Sequence, residues 1–165
     1  MKSVLLFLAF LFIVAATTLW IRHGGGEPYP DLTQPPELGS DALESVLAYP
    51  EPVGNVAVSR DGRIFFTVHP EARPHGNKLL EYVDGASVPY PSLRQQAELF
   101  DTPLGIAIDR LNRLWVIDHG NHGLRSARIV AIDLDNGSVV RDQYFDATIA
   151  PLGSMLQDLQ VSADG

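Results

Sequence analysis

PLGIAIDRLNRLWVIDHGNHG, residues 103–123, is the stretch whose reading decides the fold. Ile106, Ile108, Leu114 and Val116 are spaced two apart on either side of Asp109-Arg110-Leu111-Asn112. Alternating apolar residues interrupted by a short polar turn predict two antiparallel strands. The second strand leads into Asp118-His119-Gly120-Asn121-His122-Gly123, the densest group of potentially reactive side chains in the chain.

The unit recurs. Residues 56–66, VAVSRDGRIFF, align without gaps on residues 106–116, IAIDRLNRLWV, at an offset of 50. One alanine and two arginines are identical, and each apolar position stays apolar. Residues 158–165, DLQVSADG, begin a third copy, aligned with residues 55–62 at an offset of 103. A period near 50 with short paired strands predicts an all-β chain built from the four-stranded blades of a β-propeller. Two blades and one strand cannot close a ring of about four to eight blades. The chain therefore reads as the first two blades and the start of a third, truncated at its C-terminus.

The ends and composition set the setting. Residues 4–21 form an uncharged apolar run of eighteen, flanked by Lys2 and Arg22. That length lies on the boundary between a cleaved signal peptide and a membrane anchor. Val14-x-Ala16 would serve as a cleavage site. Residues 1–23 are accordingly read as either, with the remainder exported: anchored and facing the periplasm or extracellular space, or secreted. Residues 24–42 read as a Gly/Pro-rich linker and residues 43–165 as the partial propeller. Within 41–49, Ser40 caps a short helix through Leu47, or the segment is a strand. Twelve basic against twenty acidic residues, a net charge of −8, argue against a nucleic-acid partner. With no cysteine, disulfides, thiolate catalysis and Cys-based metal sites are excluded.

The blade strands are expected at 56–59, 63–69, 78–83 and 87–90, then from Gly105 through 128–134 and 138–145, with 91–98 as a link. Asp61-Gly62, Asp84-Gly85 and Asp135-Asn136-Gly137 are the turn signals. Arg60, Arg110, Arg63 and Arg113 are expected to form salt bridges between blades, and Trp115 to pack from blade to blade.

PLGIAIDRLNRLWVIDHG resembles the corresponding hairpin of the major royal jelly protein and yellow family. The shared features are a Pro-x-Gly start, Arg-Leu-Trp-Val and a closing Asp-x-Gly. Residues 52–65 resemble the preceding repeat and residues 156–161 the following one, so the likeness spans roughly 43–165. It is closer to bacterial members, which are grouped with gluconolactonase-like propellers. The resemblance implies six blades, export, and either dopachrome-type conversion or binding of small amines. The gluconolactonase-like relatives further imply one divalent metal at the channel mouth. His119 departs from the threonine often found there in insect members.

Two groups of site candidates follow. Asn55, Gly105 and Asp158 are equivalent in the repeat and fall at the starts of inner strands, bordering the channel. Asn55 and Asp158 are hard oxygen donors suited to Ca²⁺, Mg²⁺ or Mn²⁺, Gly105 leaves room for a ligand, and Gln157 adjoins. Equally, Asn55 and Asp158 could simply bond the strand ends. The second group is Asp118, His119 and His122. Two histidines three apart suit acid–base chemistry or a metal, while a polar turn capped by Asp118 is the plainer account. His69 and His75 flank the matching exit in blade one, so three or four histidines are expected to gather if both exits share a rim. No Walker loop, Rossmann glycine pattern, nucleophile elbow or His-Glu-x-x-His is present. The functional expectation is an enzyme acting on a small polar ring compound, a tautomerase or a lactone hydrolase. The alternatives are a non-catalytic small-ligand binder and a protein-interaction propeller.

Overall fold

The turn at residues 59–63 shows why the repeat folds as it does. Ser59 N–H donates to Arg63 O at 2.9 Å, and fifty residues on Asp109 N–H donates to Arg113 O at 3.1 Å. The first side chain of each turn also accepts from the backbone N–H four residues later, Ser59 Oγ from Arg63 and Asp109 Oδ1 from Arg113, both at 2.9 Å. Serine and aspartate thus close the same turn with the same hydrogen bond. Gly62 and Asn112, at the same place in each turn, both take a positive φ.

The computed structural model describes residues 2–24, 26, 29–35 and 37–162. The chain divides into two units, residues 1–44 and 45–165. In the first, helix α1 (Lys2–His23) has no charged residue between Lys2 and Arg22 and a mean hydropathy of 2.7. Its 22 residues are long and apolar enough to cross a membrane. A short 3₁₀ turn, Ser40–Ala42, follows.

The second unit holds two four-stranded antiparallel sheets, each a simple meander. The first comprises β1 (Val53–Val58), β2 (Ile64–Val68), β3 (Leu79–Val83) and β4 (Ala86–Pro89). The second comprises β5 (Pro103–Ile108), β6 (Arg113–Asp118), β7 (Arg128–Asp133) and β8 (Val139–Tyr144). Val56 pairs with Phe66 and Ile106 with Val116; Val58 pairs with Ile64 and Ile108 with Leu114. The offset of 50 therefore holds in strand register as well as in sequence.

The sheets stack front to back. Phe65 and Leu79 on one face of the first sheet pack against Ile106, Leu114, Val116, Val130 and Ile132 of the second. In the repeat, Phe65 corresponds to Trp115 and Phe66 to Val116, so equivalent faces do not meet each other. This head-to-tail stacking is compatible with part of a β-propeller, because such contacts propagate from unit to unit. Thr67 ties the two sheets: its buried hydroxyl donates to Leu104 O at 2.7 Å and accepts from Asn55 N–H at 3.0 Å. A Cβ at Gly54 would lie 2.8 Å from Leu104 Cδ1 and 2.9 Å from Thr67 Oγ1, so a larger residue there would push on both side chains.

Several expectations change. The link at 91–98 contains helix α2 (Leu93–Leu99), capped by Ser92, whose Oγ accepts from Gln95 N–H. Fully buried Gln96 fastens α2 to β3, its Oε1 accepting from Lys78 N–H at 2.6 Å and Leu79 N–H at 3.2 Å. Residues 45–49 form no strand or helix; Leu47 and Tyr49 cover Phe66, Val68 and Leu80. Residues 154–162 also lack regular structure, so no third inner strand forms among the described residues. Among the described residues no partner strand takes up its N–H groups. Ala163, Asp164 and Gly165, the last of the third copy, lie outside the described residues.

The arginines act mostly inside their own sheet. Arg63 pairs with Glu81 at 2.6 Å, and only its Nη1 crosses to the second sheet, reaching Leu134 O at 2.7 Å. Arg113 pairs with Asp109 at 2.6 Å and lies over the Trp115 ring, while Trp115 Nε1 donates to Asp109 at 2.8 Å. Trp115 thus completes a turn on the face of its sheet turned away from the first, whereas its repeat counterpart Phe65 packs between the two sheets. Arg60 and Arg110 form no salt bridge among the described residues.

Candidate functional site

The ends of β2 and β6 lie on the same rim, because both strands run antiparallel to the strand before them in equivalent registers. From β2 the chain enters His69 and the 3₁₀ turn Pro70–Ala72, where His69 Nδ1 accepts from Glu71 N–H at 3.3 Å. From β6 it enters Asp118, His119 and a turn at Gly120–Gly123.

That turn is left-handed throughout. Gly120, Asn121, His122 and Gly123 have φ of 62°, 50°, 57° and 76°. For Asn121 and His122 this conformation costs about 1 kcal/mol each. The surroundings hold it in place. Gly120 N–H donates to Asp118 Oδ1 at 2.9 Å, Asn121 N–H to Thr102 Oγ1 at 2.8 Å, and His122 N–H to His119 Nδ1 at 3.1 Å. Gly153 N–H donates to His122 O at 2.8 Å.

Asp118 is 2% exposed, and donors surround its carboxylate: Asp101 N–H at 2.6 Å, Thr102 N–H and Oγ1 at 3.0 and 3.1 Å, and Gly120 N–H. It clamps the turn to the segment entering β5, which matches the capping account of this residue. His119 is 1% exposed, and its Nε2 has no hydrogen-bond partner. Burial, assisted by the neighbouring His122, lowers its pKa below the usual histidine value; Asp118, Glu71 and Asp101 act weakly in the opposite sense.

The turn brings His122 back beside His119, with ring centroids 5.0 Å apart. His122 Nε2 lies 2.7 Å from Glu71 Oε1, joining the two exit loops. The histidine and glutamate side chains are 40% and 55% exposed. Glu71 is held below the usual carboxylate range, first by its hydrogen bond to His122. Three of the expected histidines, His69, His119 and His122, therefore gather around Glu71. His75 is exposed and bonds to none of them. Glu71 was not among the sequence candidates. Its place one residue beyond His69-Pro70, at the exit that aligns with His119, was the available signal.

The other candidates lie along the inner strands. Gly105 is buried, and a Cβ there would lie 2.5 Å from Gln157 O and 2.7 Å from Asp158 Cα, so it admits the following segment rather than an open space. Asn55 is half-buried, and Asp158 is exposed with its Oδ1 accepting from Leu159 N–H at 2.8 Å. Gln157 Nε2 contacts Met155 Sδ at 3.3 Å. One amide and one carboxylate fall short of the roughly six to eight oxygens that calcium takes. No group of three His, Asp or Glu residues able to hold a metal occurs among the described residues. These side chains alone do not make a metal centre.

Residues 102–165 match the family model for major royal jelly protein. The match takes in the whole second sheet and the left-handed turn, and leaves β1–β4 outside. Over that span the chain is similar to this family. No curated protein matches the chain.

Proposed function

We propose that this chain forms part of a royal jelly/yellow-type propeller whose rim carries a proton-transfer site for a small polar ring compound. The Glu71–His122 contact carries the reading. Ionised Glu71 fixes the proton on His122 Nε2 and leaves the Nδ1 lone pair, which has no partner among the described residues, as the base. A base oriented by a carboxylate suits removal of a proton from carbon beside a carbonyl and its return to the conjugate position, which is tautomerisation. The same base could draw a proton from water attacking a lactone. Tautomerisation is preferred, because the single base that removes the proton can also return it. His119, kept neutral by burial, adds no second positive charge beside His122 once His122 takes up the proton.

The apolar α1 supports export, as a leader or as an anchor. The test is proton–deuterium exchange of small cyclic ketones, followed by NMR with the full chain in neutral detergent, and ring opening of small lactones in parallel. His122→Ala should slow exchange about 100-fold, in the range for general base catalysis. Glu71→Gln should slow it less. Unchanged exchange in folded His122→Ala would sink the assignment. Lactone opening without ketone exchange would replace the tautomerase by the hydrolase.

A further inference from the structure

Beside the Glu71–His122 contact lies a cleft of about 530 Å³, between the two exit loops. Three cationic residues line it, Arg73, Lys78 and Arg125, against one carboxylate, Asp101. In a chain of net charge −8 this is a local reversal of sign. We propose that the cleft binds the carboxylate or phosphate group of a small anionic molecule. The proposal rests on the cleft itself and goes beyond the proton-transfer reading.

The cations are only partly engaged. Arg73 has no hydrogen bond or salt bridge from its guanidinium among the described residues, and its backbone is left-handed, with φ 54° and ψ 59°. Arg125 comes within 3.3 Å of Asp101 through Nε, and its guanidinium makes no hydrogen bond among the described residues, so its donors are available. Lys78 donates one ammonium proton to Phe100 O at 2.5 Å and has two more. Planar guanidinium groups facing one space suit an oxyanion, which accepts paired N–H bonds. Pro70, Pro74 and Pro103 supply stiff apolar walls, so the anion's body would rest on surface that needs little ordering on binding. Asn121, just before His122, also lines the cleft, which places a bound anion next to the exposed imidazole.

The test is calorimetric titration of the full chain in neutral detergent with benzoate and, separately, inorganic phosphate. Saturable binding of either is expected, weakening as salt is raised. Benzoate alone would identify a carboxylate bearing an apolar body, and phosphate alone a phosphate group. Arg73→Ala and Arg125→Ala should each weaken binding about tenfold, and Arg125→Lys less. Both arginines are exposed, so circular dichroism should show these variants folded. Arg94→Ala, on α2 and paired with Glu98, should change nothing. His122→Ala should retain anion binding, so a failed proton-transfer reading leaves this one standing. No saturable binding of either probe, or equal binding by both alanine variants, would overturn it.

Discussion

Glu71 Oε1 and His122 Nε2 lie 2.7 Å apart across fifty-one residues of sequence, and each belongs to the loop that leaves the second strand of its sheet. The contact links two loops, so anything that weakens it should be felt in both.

The Glu71 carboxyl should titrate below the ordinary glutamate value of about 4.3. Its hydrogen bond to His122 favours the ionised form, so the linked stabilisation is present above the unfolded value and is lost as pH falls through the folded one. Side-chain carboxyl NMR should show the lowered midpoint, and His122→Ala should return it towards the ordinary value. A midpoint unmoved by that substitution would mean the contact does not persist in solution.

His119 should make the fold sensitive to mild acid. Its folded pKa is depressed, chiefly by burial, so below about 6.5 the unfolded state takes up a proton that the folded state resists. Stability should be unaffected by this group above that value. It should decline as pH falls from there towards the folded pKa. Denaturant midpoints at pH 7.5 and 5.5 should differ more for the native chain than for His119→Gln. Equal differences would remove His119 as the source.

Gly105→Ala should destabilise by about 1–3 kcal/mol, the usual cost of overpacking. Its Cβ would meet the backbone of Gln157 and Asp158, which cannot move aside as a flexible side-chain end can. Amide exchange at those two residues should quicken. Gly76→Ala, where nothing lies within 4 Å, should be neutral.

The β1–β2 and β5–β6 hairpins were legible because strand period and turn chemistry are local. Ser59 and Asp109 sit at one repeat position and close the same turn, and the offset of 50 carries directly into register. Helix α2 was legible in principle through Ser92 and Gln95, but seven residues of helix offer too little periodicity to stand out between prolines. Among the histidines, the two exits could be seen to correspond, yet the left-handed turn that brings the His122 ring beside His119 could not be read from the residues.

The sequence by itself determined the repeat, the strand alternation, the apolar N-terminal helix and the absence of cysteine chemistry, because each depends on neighbours in the chain. Only the tertiary structure decided that Glu71 meets His122, that His119 is buried, and that the backbone of Gln157 and Asp158 comes up against Gly105. Those outcomes depend on how one sheet lies on the next. That stacking is set by packing between residues about fifty apart, a distance over which strand periodicity carries no information.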